Sequence, residues 1–315
     1  MKLLSFVIPC YGSEKTIEYV IDEIVEVVAQ RKDYDYEIVC VNDASPDNVI
    51  SVLEKLAKEN KKIKVIDFSK NFGKHSAVMA GFSMTSGDYI VSLDDDGQCP
   101  MDRLWDLIDP LDEDKVDMTM AEYPKKKQAG WKNIGSSINS LMSRTLINKP
   151  KDLQFSNFFV MKSYMVEEIL KYENPYPYLE GLILRTTDRI LSVEMEERDR
   201  FAGRGNFTFF KSLGLWINGF TAFSVKPLRV ATLVGSLFAL IGFVFEIIIV
   251  INRLFNPKVP LGYSSTLAIM LFIGGIIMLM LGLIGEYIGR IYISLNNSPQ
   301  YVIRKIINCE RDNNE

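Results

Sequence analysis

The stretch that decides the fold is Tyr89-Ile90-Val91-Ser92-Leu93-Asp94-Asp95-Asp96-Gly97-Gln98. A short, mostly apolar run stops abruptly at three carboxylates and a glycine. A buried strand reads this way where it emerges at the edge of a sheet. Toward the N-terminus the same pattern recurs. Leu4 to Ile8 is an apolar run closed by Pro9; Glu37 to Val41 leads into Asn42-Asp43-Ala44-Ser45-Pro46-Asp47; Ile63 to Phe68 leads into Lys70-Asn71-Phe72-Gly73-Lys74. The intervening segments have the other period. Glu14 to Arg31 carries Ile17, Val20, Ile21, Ile24, Val25 and Val28 at helical spacing, Val49 to Ala57 repeats it, and Ala77 to Met84 reads as a third helix. This alternation predicts an α/β, Rossmann-like, mainly parallel sheet with helices on both faces. Ligands of such sheets bind beyond the carboxyl ends of the strands.

Those ends carry the candidate chemistry. Asp94 and Asp96 alternate with Asp95, and alternate residues of an extended chain share a face, so two carboxylates can meet one cation. Three adjacent carboxylates repel unless a cation offsets them. Oxygen ligands without a neighbouring His or Cys suit Mg²⁺ or Mn²⁺, ions that commonly hold phosphates. The competing reading is an acidic turn before Met101; the position at a strand end favours the metal. Asp43 sits at the same edge and can hydrogen-bond a base or ribose, or simply form an Asx turn. Asp47 reads as the N-cap of the next helix. Lys74 is placed to neutralise a phosphate, and the chain has no glycine-rich phosphate loop.

Other residues narrow the classes. His75 is the only histidine, which excludes His-based metal sites and Ser-His-Asp triads. Cys10, Cys40, Cys99 and Cys309 lack metal-ligand spacing and read as reduced thiols. A net charge of -4 is not the basic footprint of a nucleic-acid binder. Local basic residues remain: Lys125, Lys126 and Lys127, then Lys132, Arg144, Arg198, Arg200 and Arg204. They read either as solvated surface or as receivers of an anionic group presented at a membrane.

Beyond about Phe220 the chain turns apolar. Val230 to Ile251 has one charge, Glu246, and Val259 to Gly285 has none. Both are long enough to cross a hydrocarbon core of roughly 30 Å at ~1.5 Å per residue. Lys211, Lys226 and Arg229 precede the first; Arg290, Arg304 and Lys305 follow the second. That bias predicts cytoplasmic termini. Phe207 to Phe223, rich in aromatic residues, predicts amphipathic helices at the interface.

In order along the chain, Phe6-Val7-Ile8-Pro9-Cys10-Tyr11, Val41 to Asp47, Asn71-Phe72-Gly73-Lys74 with Ala80-Gly81, Asp94 to Pro100, Ser224 to Arg229 and Gly285 to Tyr292 with Pro299 and Tyr301-Val302 resemble one family. It is the family 2 glycosyltransferases of GT-A fold, of the polyisoprenyl-phosphate type (dolichyl-phosphate mannose synthase-like enzymes and bacterial undecaprenyl-phosphate sugar transferases). The resemblance implies inverting transfer of a sugar from a nucleotide sugar, UDP-linked ahead of GDP-linked, to a polyisoprenyl phosphate at the cytoplasmic membrane face. It implies Mg²⁺ or Mn²⁺ on Asp94 and Asp96 as the catalytic pair. Nucleotide contacts fall on Pro9, Tyr11, Glu14, Asp43, Ser45, Lys74 and Asp95, and acceptor-phosphate contacts on Lys132, Ser136, Arg198, Arg200 and Arg204. The expected organisation is a GT-A domain over 1–206, juxtamembrane helices over 207–228, a two-helix transmembrane hairpin over 229–293 and a cytoplasmic tail over 294–315; a homo-oligomer is a further expectation.

The pattern departs at four places. Ser13 stands where the family has an acidic position, Asn42 replaces the first Asp of a pair, Cys99 replaces His, and Phe159 replaces Arg. Two rival readings stay open: a membrane-anchored regulatory subunit without turnover, and a polysaccharide synthase, although the Q-x-x-R-W pattern of the latter is missing. Glu286 and Arg290, four apart, read as a structural helix pair.

Overall fold

The computed structural model describes residues 1–124, 153–199, 226–255, 262–296 and 298–309. They fall into two units, Met1–Phe209 with Ser298–Glu315, and Phe210–Asn297.

The first unit is built on one sheet. Its described strands are β1 (Lys2–Cys10), β2 (Tyr34–Asn42), β3 (Ile63–Phe68), β4 (Tyr89–Ser92), β5 (Met118–Glu122), β6 (Phe159–Lys162), β7 (Ile190–Glu194) and β8 (Ile303–Ile307). They lie in the order β7-β5-β6-β4-β1-β2-β3-β8. The centre, β3-β2-β1-β4, is parallel. β6 and β8 flank it antiparallel, β5 is antiparallel to β6, and β7 is parallel to β5. The expected mainly parallel sheet is therefore a mixed sheet with a parallel core. The last strand comes from the segment read as a tail.

Helices cover both faces. α1 (Ile17–Val28), α2 (Val49–Glu59), α3 (Lys74–Phe82), α4 (Leu104–Asp112), α5 (Ser163–Leu170) and α6 (Leu179–Thr186) belong to this unit. Leu4, Phe6, Ile8 and Cys10 of β1 face one cluster with Ile17, Ile21 and Ile24 of α1, Leu53 of α2 and Leu107 of α4, all fully or almost fully buried. Val7 points the other way, against α3, where a Cβ on Gly81 would meet its Cγ1 at 2.3 Å. Burial on both faces explains why β1 reads as a continuous apolar run rather than an alternation. Each such side chain contributes about 1.5–3 kcal/mol.

The second unit holds α7 (Lys226–Phe255) and α8 (Tyr263–Leu295), which meet at Phe238 and Phe272, edge to face with centroids 5.3 Å apart. Among the described residues, one helix has a window long and apolar enough to cross a membrane, Phe272–Gly289 of α8, with mean hydropathy 1.9. In α7 the apolar window is shorter, Gly235–Val244. Large apolar side chains such as Leu233, Phe243, Ile277 and Met278 are exposed along both helices. The side chains of Glu246, Glu286 and Arg290 lie outside the described set, as do the interfacial segment Phe207 to Phe223 and the basic cluster Lys125 to Lys127.

Candidate active site

From β1 the chain runs outward through β2 to β3, while β4 lies on the other side of β1. The carboxyl ends of β1 and β4 therefore border the topological switch point, where a crevice opens in sheets of this kind. Bonds between side chain and main chain tie the two exits together. The Tyr11 N–H donates to Asp95 Oδ2 at 2.9 Å, and Thr16 Oγ1 donates to the Asp95 carbonyl at 2.6 Å. Burial, then the adjacent charges of Asp94 and Asp96, pushes the Asp95 carboxyl up to about 6, against the N–H bond that favours its ionised form. Asp95 is thus a brace between the two exits, and like Asp94 and Asp96 it is half-buried at the rim. The Tyr11 ring is 52% exposed beside them, open to stacking by a ligand.

Asp94 is already engaged by a cation. Lys74 ion-pairs with its Oδ1, and Asn157 Nδ2 donates to Oδ2 at 2.8 Å. Asp96 Oδ1 accepts the Gln98 N–H at 3.1 Å. Among the described residues no three His, Cys, Asp or Glu side chains converge as a preformed metal cage. The donor set nevertheless fits Mg²⁺ or Mn²⁺. It consists of two carboxylates and no nitrogen or sulfur ligand, and such ions are commonly held by one or two carboxylates plus substrate phosphates. The Lys74 ammonium on Asp94 shows that the position takes positive charge.

The loop after β2 forms the second wall. The Asp43 carboxylate accepts two N–H bonds, from Phe72 at 2.6 Å and Gly73 at 2.9 Å, and Asn71 Nδ2 donates to its carbonyl at 3.2 Å. Burial raises the Asp43 carboxyl, and the two N–H bonds oppose the shift. Gly73, at φ +90°, forms the corner that starts α3. α3 therefore begins at Lys74, three residues earlier than its apolar spacing predicts. Ser45 Oγ accepts the Gly12 N–H at 2.7 Å and donates to Asp47 Oδ1 at 2.5 Å. The Glu14 N–H reaches Asp47 Oδ2 at 2.9 Å. Asp47, read as a simple N-cap, accepts the Val49 N–H at the start of α2 at 3.3 Å and also braces the β1 and β2 loops together. Ala44, between Asp43 and Ser45, holds φ +48°.

Of the expected nucleotide residues, Pro9, Tyr11, Glu14, Asp43, Ser45, Lys74 and Asp95 all lie on this edge, but Asp43 and Asp95 spend their carboxylates on backbone N–H groups. Arg198, expected among the acceptor-phosphate contacts, already has acidic partners. Its guanidinium is held by Glu23 at 2.5 Å and by Asp102, so its charge is already matched. Its backbone also exchanges bonds with Gln98. Lys132, Ser136, Arg200, Arg204 and Arg144 lie outside the described residues. Phe159 is a buried β6 residue opposite Ser92, and Cys99 is buried with its thiol pushed up to about 12, chiefly by burial. All four cysteines are free.

Asn157 and Thr16 escaped the sequence reading. Asn157 precedes β6, whose antiparallel pairing with β4 brings its start to the carboxyl end of β4; only that pairing points to it. A cavity of about 50 Å³ beside Lys74 is lined by His75, Asn157 and Glu180 among others.

Residues 5–170, just over half of the chain, match the family described as Glycosyl transferase family 2. Residues 226–291 match the GtrB C-terminal hairpin. The chain is 32% identical over 308 residues to the uncharacterised glycosyltransferase YkcC of Bacillus subtilis, covering 97% of this chain and 94% of that one. It is 31% identical to the SfII prophage-derived bactoprenol glucosyl transferase of Shigella flexneri, covering 96% and 97%. In fold it is similar to glucosyl-3-phosphoglycerate synthase of Mycobacterium tuberculosis, solved with Mn²⁺, UDP-glucose and phosphoglyceric acid. That likeness has TM-score 0.51 and 19% identity over 70% of this chain and 78% of that one. By sequence match across its catalytic half and by near end-to-end likeness to these enzymes, the chain belongs to glycosyl transferase family 2.

Proposed function

We propose that the protein transfers a sugar from a nucleotide sugar to a polyisoprenyl phosphate, with inversion, at the cytoplasmic face of the membrane. The observation that carries this is the end-to-end likeness to relatives that act on such lipids. The bactoprenol glucosyl transferase likeness spans 96% of the chain, hairpin included. An undecaprenyl-phosphate 4-deoxy-4-formamido-L-arabinose transferase of Proteus mirabilis is 26% identical over 98% of the chain. In this reading α7 and α8 both span the bilayer, with both termini cytoplasmic, and the GT-A domain over 1–206 works against the membrane surface.

The chemistry follows from the rim. The acceptor phosphate is anionic at neutral pH and needs no general base, which suits a site whose one histidine is half-buried and neutral. The difficult step is departure of the nucleoside diphosphate. Asp94 and Asp96 would hold Mg²⁺ or Mn²⁺, which when bound offsets charge developing on that leaving group. Lys74 would exchange Asp94 for a donor phosphate, and Tyr11 would stack on the base. Pro9, Glu14, Asp43, Ser45 and Asp95 would shape the nucleotide pocket, with a UDP-sugar ahead of a GDP-sugar. Lys132, Ser136, Arg198, Arg200 and Arg204 would receive the lipid phosphate, Arg198 by exchanging its acidic partners, and membrane anchoring would supply proximity.

The test is transfer of radiolabel from a panel of UDP- and GDP-sugars into organic-extractable lipid, with purified protein, undecaprenyl phosphate and Mg²⁺ or Mn²⁺. One donor should label the lipid. Asp96→Ala should lower that rate by about 10³-fold or more while leaving the protein folded. Nucleotide binding with no lipid product from any donor would favour the regulatory-subunit reading.

A further inference from the structure

Asn42 and Asp67 are cross-strand neighbours at the carboxyl ends of β2 and β3, 2% and 3% exposed. Asn42 Nδ2 donates to Asp67 Oδ1 at 2.7 Å, and Asn42 Oδ1 accepts the Ser45 N–H at 3.1 Å. The other Asp67 oxygen, Oδ2, takes Arg304 of β8 through Nε and Nη2, both at 2.7 Å. A carboxylate this buried needs its counter-charge. The β3–β8 register explains how the arginine arrives. Lys305 lies opposite Asp67 but Ile303 lies opposite Phe68, two steps on β8 against one on β3, so Arg304 is the extra residue of a bulge. Bulges re-aim side chains. Here Arg304 is turned onto Asp67, while Lys305 pairs with Glu54 at 2.7 Å.

We infer that Arg304 is a positioning residue for the nucleotide site, holding Asp67, which orients Asn42, which fixes the turn carrying Asp43 and Ser45. The inference rests on reading that edge as the nucleotide site. The turn needs fixing, because Ala44 inside it holds φ +48°, a conformation that persists for alanine only where the surroundings impose it. The Ser45-to-Asn42 bond closes across Ala44. The same C-terminal segment supports the facing loop. The Val302 carbonyl accepts the Ser69 N–H at 3.0 Å. Tyr301 stacks on Phe68 at 5.4 Å, and Phe68 meets Phe72, whose N–H binds Asp43. Asn42 also ceases to be an anomaly. An aspartate there would face Asp67 as a second buried carboxylate, whereas the amide supplies a donor to Asp67 and an acceptor to Ser45.

The experiment titrates full-length protein in detergent with UDP and with GDP in Mn²⁺, and measures KM and kcat for the labelled donor. Arg304→Met should weaken binding of the nucleotide that wild type binds, and raise KM, by about tenfold, the loss of one charge-assisted contact. The value of kcat should stay within about twofold, and Arg304→Lys should recover part of the affinity. Should Arg304→Met fail to fold, Asp67→Asn with Arg304→Met leaves no orphan charge and carries the same measurement. Unchanged affinity and KM, with only a lower melting temperature, would overturn the inference. Wild type binding neither nucleotide would remove the nucleotide-site reading and the inference together, a result distinct from equal binding by wild type and variant.

Discussion

His75 illustrates how one residue's surroundings set its chemistry. It lies in the first turn of α3, facing the start of α6, where Nδ1 accepts the Leu179 N–H at 3.5 Å and the ring meets Tyr178 at 5.9 Å. Burial, then the charge of Lys74, pushes the imidazole down to about 4. In the unfolded chain it titrates near ~6.5. Between those values the unfolded state binds the extra proton. The stabilisation is therefore complete above about pH 6.5 and is lost as pH falls toward 4, on the order of 3 kcal/mol in all. His75→Gln should flatten the fall in thermal stability over that window, and a fall that survives the substitution would assign it to another group. At this scale the sequence was informative about type and silent about partner. Asp43, Asp94 and Asp95 were visible as carboxylates at strand ends. That Asp95 faces a backbone N–H and Asp94 faces Lys74 depends on where β1 exits relative to β4, which local spacing does not encode.

Among the elements, α3 has the narrowest tolerance. Its Gly81 sits against Val7, and a Cβ there would fall 2.3 Å from a branched, fully buried side chain. Gly81→Ala should cost about 1–3 kcal/mol through overpacking, read as a lower unfolding midpoint. An unchanged midpoint would mean that α3 can slide on the sheet. The elements legible in the sequence are those with long, clean periods: β1, α1, β2, α2, β3, α3 and β4. β5 and β6 are short and antiparallel to each other, and their pairing crosses the undescribed residues 125–152. β8 is harder still, since Ile303-Arg304-Lys305-Ile306-Ile307 has two charges in five residues and follows the apolar hairpin. Only its partner strand gives it an identity. α7 is the converse case: Val230 to Ile251, read as a span with one charge, falls wholly inside a 30-residue helix.

For the whole molecule, the two family matches end at residues 170 and 291, yet the first unit is completed by Ser298–Glu315. A chain stopped at residue 297 keeps both matched segments and loses, of the resemblance, only Pro299 and Tyr301-Val302. It should still destabilise the sheet unit by on the order of 3 kcal/mol, losing the Ile303, Ile306 and Ile307 contacts and the counter-charge of Asp67. Faster limited proteolysis of that unit is the expected result. Equal protection would show that β8 is dispensable to the sheet.

The antiparallel docking of β8 on β3 also sets a timetable for biosynthesis. β3 ends at Phe68, and its neighbour begins at Ile303, after both long helices. At ~5–20 residues per second, β3 emerges with one edge open for on the order of tens of seconds before its partner is synthesised. An open edge invites pairing with other chains, and inward charged residues such as Lys64 and Asp67 are a standard guard against it. The nascent domain therefore waits with its own deterrent in place, and the arrival of Arg304 converts that deterrent into a clasp only after both long helices have been made.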